Sequence, residues 1–321
     1  MPFGWFRGKQ TPDSSRFGTY QIIRLIHEGH KATVYQARNL KADEISALKL
    51  YRKLFDQQMR RLRKKYNLPS EGEIGRRLNP RPDEDPARHP IVSTLDEGHE
   101  FGKKSAPYFV VQEFIDGFNL KNLLTVSPEQ LNGRRLWLAQ ELARGLDVIH
   151  RSGYVHRDFA SDNVLLTRQW QVRIIDLGFV VPSGMKFGER TGTPSYMAPE
   201  QIRGETLTPA TDVYAFGVIF YEVFTGRLPF GSGAHKAASL ELGGRLLGGA
   251  GDEASLGASG LVLSQHLDTP PKPLRQVAPD VPEDVEKLVL RCLTKKPIER
   301  FADGQSLVQA IRQLSEQHAE L

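Results

Sequence analysis

The sequence is poor in cysteine and in long apolar runs. Cys292 is the only cysteine among 321 residues, which excludes an intrachain disulfide and a cysteine-based zinc site. No apolar run approaches the roughly 18 residues that a membrane-spanning helix needs. The N-terminus, MPFGWFRGKQ, also lacks the long apolar core of a secretory signal. We therefore expect a soluble protein of a reducing compartment, most simply the cytoplasm, with no membrane segment in this chain.

The sequence also lacks a strong excess of one charge sign outside a single short stretch. The 43 basic and 38 acidic residues give a net charge of +5, yet residues 52–65 hold seven basic residues and one acidic residue, so the rest sums to −1. We interpret this basic stretch as the solvated outer face of helices, with docking of an acidic partner as an alternative. Nucleic-acid binding is not expected, because neither aromatic stacking residues nor a matching fold signature accompanies the charges.

What is present is a globular composition, with 39% apolar and 25% charged residues, and a β-rich first third. Three strand-like runs lie between Tyr20 and Tyr51, namely YQIIRLI, ATVYQARN and EISALKLY, and two more lie around IVSTLDEG and PYFVVQEFI. Residues 52–78 have a helical composition. The proline-rich residues 79–90 cannot continue a helix and are predicted to be a loop.

The remainder of the chain predicts helices. Ser127-Pro128 is typical of a helix start, and an apolar stripe then runs to a helix end predicted at Gly153. The change of pattern predicts two lobes that meet near residues 113–117. Residues 231–262 contain nine glycines and predict a flexible insertion. The predicted organisation is therefore a tail over residues 1–17, an N-lobe over 18–116, and a C-lobe over 117–321 that carries the glycine-rich insertion.

The densest chemical signal lies in YVHRDFASDNVLL and in the IIDLGF that follows it. Residues 156–158 (HRD), then Asn163, then residues 176–178 (DLG) fit the signature of a phosphoryl-transfer site. Such a site needs a carboxylate to orient the attacking hydroxyl, which suits Asp158. It also needs hard oxygen ligands for Mg²⁺ or Mn²⁺, which suits Asn163 and Asp176. The alternative is a helix–hairpin junction with merely solvated polar residues, and the ordered pair of motifs disfavours it.

In these motifs the chain resembles the eukaryotic-like protein kinases, most closely their bacterial Ser/Thr branch, from about Tyr20 to Leu314. The resemblance implies an α+β, bilobed protein-kinase-like fold, with a small β-rich N-lobe that contains helix C and a larger α-helical C-lobe. It also implies an ATP-dependent enzyme that transfers the γ-phosphate to Ser/Thr hydroxyls of protein substrates and phosphorylates itself.

The resemblance assigns a lysine and a glutamate to the first lobe. Lys49, in Ala47-Leu48-Lys49, is expected to hold the α- and β-phosphates of ATP. Glu71 is expected to pair with Lys49 as the helix-C glutamate of the family does, and Glu73 is the alternative. The expected catalytic residues are therefore Asp158, Lys49, Asn163 and Glu71, with Asn163 and Asp176 as the metal ligands.

The rest of the nucleotide site is less complete. The family's glycine-rich loop appears as residues 27–34, in which only the middle glycine, Gly29, is kept. PYFVVQEFI resembles the fifth strand and the hinge, so the backbone of residues 113–115 is expected to bind adenine, with the polar Gln112 behind it. The expected nucleotide-binding residues are Gly29, Val34, Ala47, Lys49, Glu113 and Ile115.

TGTPSYMAPEQ resembles the family's peptide-positioning loop. Thr193 is expected near the catalytic carboxylate, and Glu200 is expected to form a buried ion pair with Arg300. Asp212 is expected to brace the backbone of the HRD motif. Small-molecule kinases that share the fold generally lack such a segment, so this pattern favours a protein substrate and disfavours a small-molecule phosphotransferase.

The chain departs from the family at Ala160, where Ser/Thr kinases usually carry a lysine that neutralises γ-phosphate charge. Loss of one cation slows a reaction whose transition state is stabilised mainly by charge. We expect a competent but slow kinase, and the alternative is a pseudokinase or nucleotide-responsive scaffold with weak or no turnover. Thr191 and Ser183 are candidate phosphorylation sites, and Arg157 is of the type that binds a phosphorylated loop.

Several properties stay open at this point. They are the physiological substrate, the upstream signal, Ser/Thr against dual specificity, the catalytic rate, the oligomeric state (a homodimer included) and whether the chain is full-length.

Overall fold

The computed structural model describes residues 16–99, 106–231, 253–318 and 320–321. The chain divides into two compact units. The first runs to Pro86 and continues over Val92–Asp116, and the second comprises Ala87–Ile91 and Gly117–Leu321. Each unit contributes its own set of candidate site residues.

The first unit is built on one sheet of six antiparallel strands, in the order β1-β2-β3-β4-β6-β5. The strands are β1 Arg16–Phe17, β2 Tyr20–Glu28, β3 Ala32–Asn39, β4 Glu44–Tyr51, β5 Thr94–His99 and β6 Tyr108–Glu113. Because side chains alternate along a strand, Leu48 and Val111 pack with Ala37 in an apolar cluster on one face. Lys49, next to Leu48, therefore lies on the other face.

Two helices complete the first unit, α1 Lys53–Tyr66 and α2 Glu71–Leu78. Helix α1 buries Phe55, Met59 and Leu62, which share one face because they are spaced three and four residues apart. Helix α2 begins with a capping box, in which the Ser70 side chain accepts from the Glu73 N–H and the Glu73 carboxylate accepts from the Ser70 N–H. Helix α2 packs against strands β5 and β6.

The second unit is mainly helical. Its helices are α3 Leu120–Val126, α4 Arg135–Arg151, α5 Pro199–Arg203, α6 Pro209–Thr225, α7 Glu253–Asp268, α8 Glu283–Cys292 and α9 Gly304–Gln317. Its strands are β7 Gly117–Asn119, β8 Tyr154–Val155, β9 Val164–Thr167, β10 Val172–Ile174 and β11 Val181–Pro182. Every residue of α6 from Ala210 to Phe224 is buried, so α6 is the centre of the core. Helices α4, α8 and α9 all pack on it.

Two predicted element boundaries are wrong. Residues 128–131 form a short 3₁₀ turn and the Ser127 side chain makes no cap hydrogen bond, so helix α4 begins only at Arg135. Helix α7 begins at Glu253, so residues 253–262 of the predicted insertion are helical. Val262 and Leu263 of this helix are buried. Residues 1–15 of the predicted tail and residues 232–252 of the predicted insertion lie outside the described residues.

The predicted α+β class, with a smaller β-rich part followed by a larger helical part, is confirmed. Among the residues that the structure describes, no helix is both long enough and apolar enough to cross a membrane. Cys292 is buried as a free thiol, and burial raises its pKa to about 12.

Candidate active site

Lys49 and Glu71 form an ion pair in the first unit. Lys49 Nζ lies 3.1 Å from Glu71 Oε1 and 3.3 Å from Oε2. Lys49 lies in β4 and Glu71 is the first residue of α2, so the ion pair joins the sheet to the helix. The alternative partner, Glu73, closes the capping box at Ser70 instead.

A second carboxylate holds the start of helix α2 from strand β5. Glu97 Oε2 accepts hydrogen bonds from the Ser70 hydroxyl at 2.6 Å and from Tyr108, and Oε1 pairs with Arg76. Burial alone would raise the pKa of Glu97, but the bonds from Ser70, Tyr108 and Arg76 lower it. Burial and the bond to Glu97 raise the pKa of Tyr108 well above its ordinary value. Tyr108 therefore stays a protonated donor beside the helix that carries Glu71.

The other expected nucleotide-binding residues lie along the same sheet. Gly29 is in the turn between β2 and β3, where its N–H donates to the Ala32 carbonyl at 3.0 Å. Val34 is the cross-strand neighbour of Lys49. Ala47 is the cross-strand neighbour of Gln112. These positions bring the expected residues of strands β3, β4 and β6 onto one continuous part of the sheet.

The expected hinge follows the end of β6. Glu113 is the last residue of that strand, and its carboxylate accepts from the Ser93 N–H at 2.8 Å. Ile115 lies beyond it, in a stretch without regular secondary structure. Gln112 is buried, and within the described residues its Nε2 has no hydrogen-bond partner. A buried amide donor without a partner is costly, and Gln112, as the cross-strand neighbour of Ala47, lies on the face of the sheet that also carries Lys49.

Asp158 is held by residues 191–201, the expected peptide-positioning loop, in the second unit. Its Oδ1 accepts from both the N–H and the hydroxyl of Thr193, each at 2.7 Å. Asp158 is 2% exposed, so these bonds are shielded from bulk water. The arrangement fixes the plane of the carboxylate and joins it directly to residues 191–201.

Asn163 and Asp176 come from the two ends of one hairpin. The Asn163 Nδ2 donates to the Asp158 carbonyl oxygen at 2.7 Å, which leaves Oδ1 as the acceptor end of the amide. The Ile175 N–H donates to the Asn163 carbonyl at 2.9 Å, and this bond brings the residue before Asp176 next to Asn163. Asp176 adopts a left-handed backbone conformation, with φ of 62°.

Asp212, in the first turn of α6, holds the backbone of the HRD motif. Its Oδ2 accepts from the His156 N–H at 2.7 Å and its Oδ1 accepts from the Arg157 N–H at 2.9 Å. Arg157 has a φ of 68°, a conformation that an arginine adopts only when its surroundings hold it there. The Gln201 side chain adds a bond to the Arg157 carbonyl at 2.9 Å.

Two arginine side chains, those of Arg157 and Arg300, hold the segment from Asp176 to Glu200 in place. The Arg157 guanidinium donates to the Thr191 hydroxyl and lies 3.9 Å from the centre of the Phe187 ring. Thr191 is buried, whereas Ser183 is exposed, so in this conformation Ser183 is the accessible one of the two candidate phosphorylation sites. Arg300 pairs with Glu200 at 2.8 and 2.9 Å.

Sequence reasoning missed a buried polar cluster that contacts residues 156–163, the expected catalytic loop. Glu222 of α6 accepts from Lys121 at 2.6 Å, from Tyr196 at 2.9 Å and from Ser161 at 3.2 Å. Burial and the Glu222 charge raise the pKa of Tyr196 well above its ordinary value. The cluster joins the expected catalytic loop, through Ser161, to the expected peptide-positioning loop, through Tyr196. A lone acid within the apolar run FGVIFYEVF was the available signal.

The described residues carry few candidate metal ligands. No group of three or more His, Cys, Asp or Glu side chains suited to a metal ion occurs in the part of the chain that the structure describes. Mg²⁺ is commonly held by one or two carboxylates together with substrate phosphates and water. Asn163 and Asp176, two oxygen donors joined by the Ile175 bond, fit a site of that kind.

Known proteins match nearly the whole chain. The model of the family described as protein kinase domain matches residues 20–313. The serine/threonine-protein kinase PknD of Mycobacterium tuberculosis is 28% identical over 312 residues, covering 95% of this chain and 41% of the relative. PrkC of Bacillus subtilis is 24% identical over 90% of this chain and 39% of its own length, and pkn3 of Myxococcus xanthus is 27% identical over 92% and 51%. The chain thus spans about half the length of these relatives or less.

Proposed function

This chain belongs to the protein kinase domain family, and we propose that it transfers the γ-phosphate of ATP to serine or threonine hydroxyls of proteins. The observation that carries the proposal is the Asp158 carboxylate, which two bonds from Thr193 orient within the catalytic loop. The printed names of the bacterial relatives, all serine/threonine-protein kinases, support it.

We assign Asp158 as the residue that orients the attacking hydroxyl and accepts its proton. The hydroxyl oxygen forms a bond to the γ-phosphorus while the bond from that phosphorus to the β–γ bridging oxygen breaks, and ADP leaves. The hydroxyl proton passes to the Asp158 carboxylate and then to solvent. The two Thr193 bonds keep the carboxylate in one orientation, which is the main contribution a rigid residue makes to such a step.

We assign Lys49 of the first unit, and Asn163 and Asp176 of the second unit, to the binding of the ATP phosphates and their metal ion. We assign Lys49 to the α- and β-phosphates, with Glu71 holding the ammonium in place. Asn163 and Asp176 are the residues that would hold Mg²⁺ or Mn²⁺. A bound divalent ion neutralises the charge that develops on the phosphates. We assign Gly29, Val34, Ala47, Glu113 and Ile115 to the nucleotide.

The alanine at position 160, where a cation would be expected, lowers the rate of phosphate transfer that we expect. No basic side chain stands between Asp158 and Asn163, and Ala160 itself is fully buried. We therefore propose slow turnover. Nothing in the described residues favours the alternative of a scaffold without activity, since Lys49, Asp158, Asn163 and Asp176 are all present.

The peptide-positioning loop supports a protein as the substrate. Thr193 contacts the catalytic carboxylate, and Glu200, in the same segment, is anchored by Arg300. We propose protein substrates, the chain itself included, and a cytoplasmic location for the reaction. Nucleic acid is not among the proposed partners.

Substitution of Asp158 by Asn tests the proposal. The wild type is expected to transfer radiolabelled phosphate from ATP to a generic basic protein. The Asp158→Asn variant is expected to do so at least about 100-fold more slowly, because removal of a positioned base costs that much or more. Asp43→Asn is the matched control, since it makes the same change at a carboxylate that is 79% exposed. Equal incorporation by the wild type and Asp158→Asn would refute the proposal.

A further inference from the structure

Tyr51 is the last residue of strand β4, two positions after Lys49. Side chains two apart in a strand lie on the same face, so β4 presents a phenol and an ammonium side by side. Lys49 Nζ lies 5.1 Å from the centre of the Tyr51 ring, and Tyr51 is 3% exposed. The phenol is therefore a buried neighbour of the Lys49–Glu71 pair.

The Tyr51 hydroxyl donates a hydrogen bond to Glu71. It contacts Oε2 of the carboxylate, and Lys49 contacts both oxygens, with Oε1 the nearer at 3.1 Å. The Glu71 side chain is fully buried, so bulk water does not supply a substitute donor. With the phenol in place the carboxylate cannot rotate freely. Without the phenol, Oε2 loses this donor and the carboxylate is held less firmly in the orientation that Lys49 contacts.

The ring of Tyr51 is itself held by two other elements. It stacks on Phe55 of α1, with ring centres 5.6 Å apart and an interplanar angle of 6°. It also packs on Tyr108 of β6, with ring centres 5.5 Å apart. Tyr108 in turn accepts from the N–H of Gly72, the residue after Glu71. Two tyrosines from adjacent strands therefore hold consecutive residues of α2.

We propose that Tyr51 is a positioning residue for phosphate binding, in that its hydroxyl fixes the Glu71 carboxylate and thereby the position of Lys49 Nζ. The inference rests on the proposed function, because it takes Lys49 as the lysine that binds ATP phosphates. The phenol is assigned no contact with a reacting atom. Its effect is expected to reach the nucleotide only through Lys49.

Substitution of Tyr51 by Phe removes the hydroxyl and keeps the stacked ring. The expected result is a rise of about tenfold in both the KM for ATP and the Kd for Mg–ATP, the size of effect that one hydrogen bond to a charged group has. The KM for the protein substrate is expected to stay the same. A purely structural role would lower the fraction of folded enzyme, and so the apparent kcat, without moving either KM or the Kd.

Tyr20→Phe is the matched control. The Tyr20 hydroxyl also donates to a carboxylate of the first unit, Asp96 Oδ2 at 2.9 Å, and Tyr20 is 5% exposed. The control variant loses the same chemical group at similar burial, and its KM and Kd for ATP are expected to match the wild type. Equal increases in both variants would overturn the inference.

A double substitution tests whether Tyr51 acts through Lys49. In a Lys49→Met background, Tyr51→Phe is expected to weaken Mg–ATP binding no further, since the group that it positions is gone. A second loss of the same size would overturn the inference. If the wild type binds Mg–ATP but transfers no phosphate, the proposed function fails and the Kd comparison still decides the role of Tyr51. An unchanged Kd and KM in Tyr51→Phe would leave the function standing and refute only this inference.

Discussion

Glu200 and Arg300 form an ion pair with almost no access to water. The two guanidinium nitrogens lie 2.8 and 2.9 Å from the two carboxylate oxygens, and both side chains are buried. Arg300 also donates to the carbonyl oxygens of Ala210, Thr294 and Lys295. These bonds satisfy the guanidinium donors of Arg300. Burying either charge costs free energy, and that cost is offset only while the partner charge is present.

Removal of one member of this pair is expected to destabilise the protein strongly. Arg300→Met leaves the Glu200 charge buried without its partner, so the free energy of unfolding is expected to fall by about 3 to 5 kcal/mol. The matched control is Arg312→Met, because the Arg312–Glu316 pair is mostly exposed and is expected to contribute less than about 1 kcal/mol. Urea unfolding of the three proteins measures both changes. Equal losses in the two variants would contradict this account of the pair.

Helices α4 and α9 approach each other so closely that only glycine fits at one position. A Cβ on Gly304 would lie 2.3 Å from the backbone nitrogen of Asp147 and 2.6 Å from its Cα. Backbone atoms of a buried helix cannot move aside as a side chain can. The Gly304 N–H also donates to His150 Nδ1 at 2.9 Å, so the start of α9 is fixed against α4.

Gly304→Ala is therefore expected to separate the two helices and to lower the free energy of unfolding by about 1 to 3 kcal/mol, as overpacking does. Gly260→Ala is the control of opposite sign. Gly260 is within α7 with nothing within 4 Å of an added Cβ, so alanine is expected to stabilise by up to about 1 kcal/mol. Thermal unfolding of both variants measures whether each substitution lowers or raises the stability of the protein. Stabilisation by Gly304→Ala would refute the close-contact explanation.

Strands were easier to predict than helix starts in this chain. The runs YQIIRLI, ATVYQARN and EISALKLY correspond to β2, β3 and β4, with the last two bounds matching residue by residue, because β-branched and aromatic residues there are bounded by turn residues. The start of α4 was misplaced because Ser127-Pro128 has the composition of a cap but begins only a 3₁₀ turn. Helix α7 was missed because glycine content outweighed a weak apolar periodicity.

In the candidate site, too, residues that belong to short sequence motifs could be predicted, whereas contacts between residues distant in sequence could not. The HRD motif with Asn163 and the DLG motif are short patterns, so the sequence predicts their residues and spacing directly. Lys121 and Glu222 are 101 residues apart, and Tyr51 and Glu71 are 20 apart, so no local pattern links the members of either pair. Their contacts follow from how helices and strands pack, which one sequence does not specify.

At the scale of the whole molecule, we propose that this member of the protein kinase domain family keeps the catalytic residues and that its phosphate site lacks one usual cation, at Ala160. Family membership and the α+β fold are established by the match over residues 20–313 and by the two units. Phosphate transfer by Asp158, with Lys49, Asn163 and Asp176 serving ATP and metal, is the central proposal. A direct test must detect the product and identify which hydroxyls receive it.

Mass spectrometry of the purified protein after incubation with ATP and Mg²⁺ is that test. The wild type is expected to gain phosphate on serine or threonine residues, with the exposed Ser183 among them, and the Asp158→Asn variant is expected to gain it at least about 100-fold more slowly under the same conditions. Phosphate that appears equally on both proteins would contradict the role of Asp158. A wild type that gains no phosphate on itself and transfers none to an added protein would contradict the proposed activity.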